Sequence, residues 1–241
     1  MSLVDNGNGT ASLIGTPTLD DAGNSTVTFK ASDGNLAWTE TMTMRVVYDA
    51  VTLSSSGVLR VAGTTGDDVV RVWQPRGSGQ PIRVIIGDTT KNYAASAITA
   101  IQIFGREGND LLQATCQDVA AYIQAGDGDD TIVGGDLGDS ITGAAGDDLI
   151  YGMGGDDWID GNGGRDTIYC GDGNDRAYGG NGRDVIDGGL GNDVLYGEVG
   201  PDLFITNDRA RDWIFGGEPD INYVQTDGIK DILYDAAAIA V

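Results

Sequence analysis

The sequence lacks several residue types on which common catalytic sites depend. It contains no histidine and two cysteines among 241 residues. Without histidine, the usual general base, the HExxH zinc motif and the Ser-His-Asp triad are excluded. Two cysteines are too few for a disulfide framework or a cysteine-rich zinc site. We therefore predict that the chain is not an enzyme.

Positive charge and long apolar runs are also scarce. The 14 Lys and Arg residues face 37 Asp and Glu, which gives a formal net charge of −23. Such a chain repels phosphate backbones and anionic membrane surfaces, so nucleic acid is not expected as a partner. No apolar run reaches the roughly 18 residues that a membrane helix needs, which predicts no membrane insertion. The opening MSLVDNGNGT lacks the basic and apolar regions of a cleaved signal peptide.

Glycine is abundant, with 39 residues, and it follows a strict repeat. The glycines do not fall at every third position, which excludes collagen. From Ala125 to Ile205 the chain divides into nines without a slip: AGDGDDTIV, GGDLGDSIT, GAAGDDLIY, GMGGDDWID, GNGGRDTIY, CGDGNDRAY, GGNGRDVID, GGLGNDVLY and GEVGPDLFI. A repeat at fixed period predicts stacked structural units.

Two columns of the repeat are nearly invariant. Position six is always aspartate: Asp130, Asp139, Asp148, Asp157, Asp166, Asp175, Asp184, Asp193 and Asp202. Position eight is apolar: Ile132, Ile141, Ile150, Ile159, Ile168, Ala177, Ile186, Leu195 and Phe204. Glycines at positions one, two and four permit a sharp turn, and the residues around position eight then form a short strand. Stacking two units per coil predicts an all-β fold, a parallel β-roll or β-solenoid.

The close stacking of acidic residues predicts a bound cation between them. Residues 125–205 hold 17 Asp and one Glu against three Arg, and aspartates 18 residues apart would lie about 4.8 Å from each other in successive coils. Ca²⁺ suits such a site because it takes six to eight oxygen ligands, carbonyls included, whereas Mg²⁺ demands strict octahedral geometry. A disordered acidic linker would not carry a periodic apolar column.

These units resemble the GGxGxDxUx nonapeptides of haemolysin-type calcium-binding proteins, the RTX family. The resemblance implies a parallel β-roll that holds Ca²⁺ between neighbouring turns, with position-six carboxylates and turn carbonyls as ligands. It implies about seven ions, or eight with Asp110 in the isolated turn GREGND. The implied carbonyl ligands are those of Gly126, Gly128, Gly135, Gly146, Gly155, Gly164, Gly171, Gly173, Gly180, Gly182, Gly189 and Gly191.

Some positions depart from the pattern. Leu137 replaces the fourth glycine, so we expect the 134–139 turn to bind weakly or to adopt another shape. Cys170 replaces a first glycine, and it lies about three coils from Cys116, which predicts two free thiols. Tyrosines one coil apart are expected to stack, Tyr151 on Tyr169 and Tyr178 on Tyr196.

The flanks give weaker signals. Residues 57–124 are predicted to form a β-rich lead-in and N-terminal cap, in which Asp110 and Asp118 are expected to form an outermost site. Residues 206–241 resemble decayed turns, with Asp212 and Asp231 as last ligands, and are expected to form a C-terminal cap. Residues 1–49 resemble part of an immunoglobulin-like or cadherin-like module, which indicates a fragment of a longer polypeptide.

Together, these features predict a Ca²⁺-dependent folding module, residues 125–205, within a secreted or cell-surface bacterial protein. The signal for export is expected upstream of this chain. Two alternatives stay open: a non-catalytic appendage of a larger secreted hydrolase, protease or epimerase, and a carbohydrate-binding adhesin segment. The expected partners are calcium ions, with cell-surface glycans or an upstream domain of the parent protein as further candidates.

Overall fold

The chain forms two units, Met1–Ala50 and Val51–Val241. The computed structural model describes residues 50–77, 79–217, 222–226 and 231–234 with their side chains. Four strands of the first unit and the last strand of the second are described by their backbone alone. No helix in these parts of the chain is long and apolar enough to cross a membrane.

The first unit contains two antiparallel hairpins. Strand β1 (Ser2–Asp5) pairs with β2 (Ala11–Ile14), and β3 (Gly23–Ser32) pairs with β4 (Ala37–Val46). Within the backbone that is described, these are separate two-stranded sheets. This arrangement does not support the immunoglobulin-like module expected from the sequence.

The second unit consists of short strands in two sheets. Its strands are β5 (Val51–Leu53), β6 (Val58–Ala62), β7 (Val69–Trp73), β8 (Ile82–Ile86), β9 (Thr89–Tyr93), β10 (Ala100–Glu107), β11 (Leu111–Thr115), β12 (Ala121–Asp127), β13 (Thr131–Val133), β14 (Ser140–Ala145), β15 (Leu149–Gly154), β16 (Trp158–Gly163), β17 (Thr167–Asp172), β18 (Arg176–Asn181), β19 (Val185–Asp187), β20 (Val194–Val199), β21 (Leu203–Thr206), β22 (Trp213–Phe215), β23 (Tyr223–Thr226), β24 (Ile232–Leu233) and β25 (Ile239–Ala240). A single 3₁₀ turn, Ala95–Ala97, is described among them.

From β10 onward, consecutive strands alternate between a 10-stranded and an 11-stranded sheet, so that the chain winds as a coil. Within each sheet, neighbouring strands of the repeat are parallel and 18 residues apart, as Ile141 and Ile159 show in one sheet and Ile150 and Ile168 in the other. The offset grows to 20 residues between β10 and β12 and to 19 between β20 and β22. The predicted all-β parallel roll is confirmed.

The core of the roll is a stack of single apolar side chains. All nine residues at position eight, Ile132 to Phe204, are fully buried. The column continues into both flanks through Leu112, Ile123, Ile214 and Val224, each of which is also fully buried. Because each strand contributes only one or two such side chains, no single coil is stable without its neighbours.

Ile168→Ala should be strongly destabilising in this core. Ile168 is fully buried and lies in register between Ile150 and Ile186. We expect a loss of about 3 kcal/mol in the free energy of unfolding, because the truncation leaves a cavity that the parallel strands cannot close. Chemical denaturation in saturating Ca²⁺ measures this. Tyr169→Ala, at an adjacent and 38% exposed side chain, is the control and should cost about 1 kcal/mol or less.

Antiparallel strands cover the N-terminal end of the roll. Strand β5 pairs with β6, and the β8–β9 hairpin extends the other sheet beyond β7. The Lys91 ammonium donates a hydrogen bond to the Val51 carbonyl oxygen at 3.1 Å, which links the two sheet edges. Val51, Ile82 and Val84 fill the space between them. The first parallel coil therefore does not expose its core or its sheet edges.

Aromatic side chains stack along both outer faces. Tyr151 and Tyr169 lie 5.1 Å apart with nearly parallel rings, and Tyr178 and Tyr196 lie 4.7 Å apart, as predicted. The second stack continues through Phe215 to Tyr234, with ring centroids 4.7 Å and 4.6 Å apart. The facing rings of each stack cover one another, so these rings stabilise the ladder.

Candidate metal centre

Turns on both flanks connect the strands, and their backbone brings successive coils into close contact. In the turn that begins at Cys170, Gly171 and Gly173 have φ values of 114° and 148°, in the region that favours glycine. A Cβ at Gly173 would clash with the Gly155 carbonyl oxygen of the preceding coil. Other turns keep the same conformation with a side chain at position two, as Met153 does at φ 83°. A positive φ at position two is thus a feature of these turns whether or not the residue is glycine.

The position-six aspartates form two columns along the roll. The Oδ1 atom of each accepts a hydrogen bond from the backbone N–H one coil earlier, as in Asp148 to Asp166 at 2.9 Å and Asp166 to Asp184 at 2.8 Å. The first column contains Asp68, Asp110, Asp130, Asp148, Asp166, Asp184, Asp202 and Asn222. The second contains Asp139, Asp157, Asp175, Asp193, Asp212 and Asp231. The spacing of 18 residues predicted this arrangement.

The second carboxylate oxygen has no partner in most of these residues. Oδ2 is buried without a hydrogen bond in Asp110, Asp130, Asp148, Asp157, Asp166, Asp175, Asp184 and Asp193. These side chains are at most 3% exposed. A buried carboxylate oxygen without a donor is costly, because burial removes its water without replacement. Each of these carboxylates therefore needs a proton or a bound cation.

Glycine at position one leaves room beside most of these oxygens. At Gly161 the place of the absent Cβ lies close to Asp166 Oδ2 and 2.6 Å from the Gly179 carbonyl oxygen of the next coil. At Gly152 the corresponding neighbours are Asp157 Oδ2 and the Cys170 carbonyl oxygen. Carboxylate and carbonyl oxygens thus converge between coils. Hard oxygen donors of this kind suit Ca²⁺.

Backbone carbonyls must supply most ligands of such a site. Nowhere among the described residues do three Asp, Glu, Cys or His side chains converge on one point. The position-four carbonyls, among them Gly146 and Gly155, lie directly against the glycine at the same position of the next coil. A cation between the coils would therefore meet one carboxylate oxygen per turn and several carbonyl oxygens, a donor set that fits Ca²⁺.

Burial raises the pKa of the column carboxyls well above their ordinary values. The pKa is raised to about 8 in Asp148, Asp157 and Asp193, and to about 7 in Asp166, with desolvation as the main cause. Neighbouring carboxylates of the same column raise these four further. Since metal ligands must be deprotonated, Ca²⁺ bound at these carboxyls would release their protons.

This coupling predicts opposite pH dependence with and without Ca²⁺. Carboxyls whose pKa is raised in the folded state stabilise the metal-free fold at acid pH, and this stabilisation is lost as pH rises through about 6 to 8. Ca²⁺ competes with those protons, so its apparent affinity should fall as pH drops from about 8 to 6. Titrations followed by circular dichroism measure this. A Ca²⁺ midpoint that stays constant over this range would contradict the coupling.

Some of the candidate ligands outside the nonapeptide repeat lie in the aspartate columns and others do not. Asp110 takes its place in the first column, and Asp212 and Asp231 extend the second, as the sequence suggested. Asp118 does not join Asp110, because its carboxylate accepts a hydrogen bond from the Gln74 amide at 3.1 Å. Asp68 instead precedes Asp110 in the first column. The phrase GTTGDD that ends at Asp68 matches GREGND and is the sequence signal that could have revealed it.

The 134–139 turn has a different shape from the others, as Leu137 led us to expect. Neither Gly135 nor Leu137 adopts a positive φ there. The Gly135 N–H donates a hydrogen bond to Asp139 Oδ2 at 2.6 Å. The oxygen left open in most turns of the repeat is thus already paired in this one.

The cysteines take no part in either column of carboxylates. Cys116 and Cys170 are free and fully buried, as predicted. Burial raises the pKa of Cys116 to about 12 and that of Cys170 well above its ordinary value. Both thiols therefore stay protonated and serve as small core residues.

A comparison with protein families matches the same part of the chain. The family model described as the RTX calcium-binding nonapeptide repeat matches residues 122–136, 133–168 and 170–204. No match was found among curated proteins. The matched segments coincide with the stacked turns and both columns of buried aspartates. The segments 122–136, 133–168 and 170–204 are therefore similar to RTX calcium-binding nonapeptide repeats, and they fold as a β-roll.

Proposed function

We propose that Ca²⁺ ions lie between neighbouring turns on both flanks of the roll and hold its coils together. The position-six carboxylates and the carbonyls of positions one to four are the proposed ligands. The buried, unpartnered Oδ2 atoms at regular spacing support this assignment most directly. Each carries negative charge or a proton at a place that protein donors do not reach.

The proposed role of the ions is to make folding conditional on the calcium concentration. Extracellular Ca²⁺ sites typically have dissociation constants of about 10⁻⁴ to 10⁻³ M, so they fill outside the cell and stay empty in the cytosol. Metal that binds only the folded state contributes its binding free energy to folding. The chain is thus proposed to serve as a folding and spacer module of a secreted or cell-surface protein.

Two adjacent aspartates provide the test of the ligand assignment. Asp148 is 2% exposed and its Oδ2 is unpaired, whereas the Asp147 carboxylate forms an ion pair of 2.7 Å with the Arg165 side chain at the surface. Asp148→Asn is expected to weaken Ca²⁺ binding at its site at least tenfold, because a charged ligand is lost. Asp147→Asn, the matched control, should leave binding unchanged.

Isothermal titration calorimetry measures both variants against the unchanged chain. The two substitutions remove the same charge from neighbouring residues, so a general electrostatic effect would weaken both equally. Equal behaviour of the two variants would refute the ligand assignment.

A further inference from the structure

The ends of the two aspartate columns differ from the interior. The first column begins at Asp68, whose Oδ2 accepts hydrogen bonds from the Thr64 backbone N–H at 2.5 Å and from the Thr64 hydroxyl at 2.9 Å. One coil later, Asp110 Oδ2 is buried without any donor. The neutral side chain of Asn222 stands at the other end and accepts from the Asp202 N–H at 2.8 Å.

The second column ends in the same manner. At its start, Asp139 Oδ2 accepts a hydrogen bond from the Gly135 N–H. At its far end, Asp231 Oδ2 accepts from the hydroxyls of Thr206, at 3.1 Å, and Thr226. Between these ends, Asp157, Asp175 and Asp193 each keep an unpaired Oδ2. At the four ends, the chain supplies a hydrogen-bond donor or an uncharged side chain, whereas Oδ2 has no donor in Asp110, Asp130, Asp148, Asp157, Asp166, Asp175, Asp184 and Asp193.

We infer that the row of Ca²⁺ sites along each aspartate column stops at defined positions, where hydrogen-bond donors of the chain take the place of the cation. On this basis, which rests on the proposed function, the ions begin at Asp110 in the first column and at Asp157 in the second. Asp110 then binds Ca²⁺ although it lies outside the matched repeats, and Asp139 does not although it lies within them. This changes the ligand set expected from the nonapeptide motif at two positions.

The physical reason is that a donor of the chain already satisfies the oxygen that would otherwise need the cation. Asp68 Oδ2 and Asp139 Oδ2 face a carbonyl oxygen of the next coil, from Gly105 and Gly152, as the interior aspartates do. Unlike those, each also accepts a hydrogen bond from an N–H of its own turn, and such a donor satisfies a carboxylate at ordinary hydrogen-bond distance. Ends of this kind also keep their structure when Ca²⁺ is absent.

Two matched pairs of variants test the inference. Asp110→Asn and Asp68→Asn compare neighbours in the first column, and Asp157→Asn and Asp139→Asn compare neighbours in the second. Asparagine retains the Oδ1 that accepts the ladder hydrogen bond, but its amide nitrogen cannot accept the second bond that Asp139 receives from the Gly135 N–H. The folding of each variant is therefore checked first. Bound Ca²⁺ per chain is counted by atomic absorption after equilibrium dialysis, on the fraction that elutes as folded monomer. The rise in melting temperature on adding Ca²⁺ is measured in parallel.

Asp110→Asn and Asp157→Asn are expected to lose bound Ca²⁺ and part of the Ca²⁺-dependent rise in melting temperature. Asp68→Asn and Asp139→Asn should keep the full number of ions. Equal losses within each pair, or full retention by Asp110→Asn and Asp157→Asn, would overturn the inference while leaving Ca²⁺ binding itself intact. An unchanged chain that binds no Ca²⁺ would instead refute the proposed function, so the two failures are distinguishable.

Discussion

Removing Ca²⁺ with a chelator is expected to unfold the repeats between residues 122 and 204. At about 1 mM Ca²⁺ and a dissociation constant of about 10⁻⁴ M, each site contributes about 1.4 kcal/mol to the folded state. Sites at the eight open carboxylates would together contribute about 11 kcal/mol, which is comparable to the whole stability of a typical domain. The metal-free roll at neutral pH should therefore lose its β-structure.

Far-ultraviolet circular dichroism measures this change, and adding back Ca²⁺ should restore the β-signal. Mg²⁺ at the same concentration is the control, and it should restore little, because it retains its water and demands octahedral geometry. An identical spectrum in excess chelator and in Ca²⁺ would show that the roll does not depend on the metal.

The second large effect concerns where the structure is lost. In chelator, backbone amides of residues 58–115 should stay protected from hydrogen exchange, while those of residues 131–206 exchange freely. The cap strands β6 and β7 bury Leu59, Val61, Val70 and Val72, two large apolar side chains each. A coil of the repeat buries one isoleucine per strand, as Ile159 and Ile168 show. The cap therefore holds more apolar core with fewer open carboxylates.

Hydrogen exchange with mass spectrometry, read peptide by peptide, provides this measurement. In Ca²⁺ both segments should be protected, which serves as the control. Equal loss of protection in the cap and in the repeats would mean that the cap has no independent stability, and it would contradict this part of the account.

The repeat register made much of the architecture predictable. A strict nine-residue period fixes which side chain enters the core, so the burial of Ile132 to Phe204 and the two aspartate columns followed from the sequence. The stacking of Tyr178 on Tyr196 followed from the same register, since residues 18 apart occupy equivalent places in successive coils.

The ends of the columns could not be predicted in this way. Asp68 pairs with Asp110 across 42 residues, because the β8–β9 hairpin is inserted between the two turns and removes the period. Asn222 lies 20 residues beyond Asp202, and its neutral side chain breaks the aspartate pattern. The sequence marked the 134–139 turn as unusual, but the bond from Gly135 to Asp139 depends on the backbone geometry of that turn, where neither Gly135 nor Leu137 has a positive φ.

The most direct test of the central claim is a crystal structure grown in Ca²⁺, with the ions located by their anomalous scattering. The account predicts density between successive turns beside Asp110, Asp130, Asp148, Asp166 and Asp184 on one flank, and beside Asp157, Asp175 and Asp193 on the other. Oxygen atoms of both turns should lie about 2.3 to 2.6 Å from each ion. Carboxylates that keep an unpaired Oδ2, with water or nothing between the coils in saturating Ca²⁺, would contradict it.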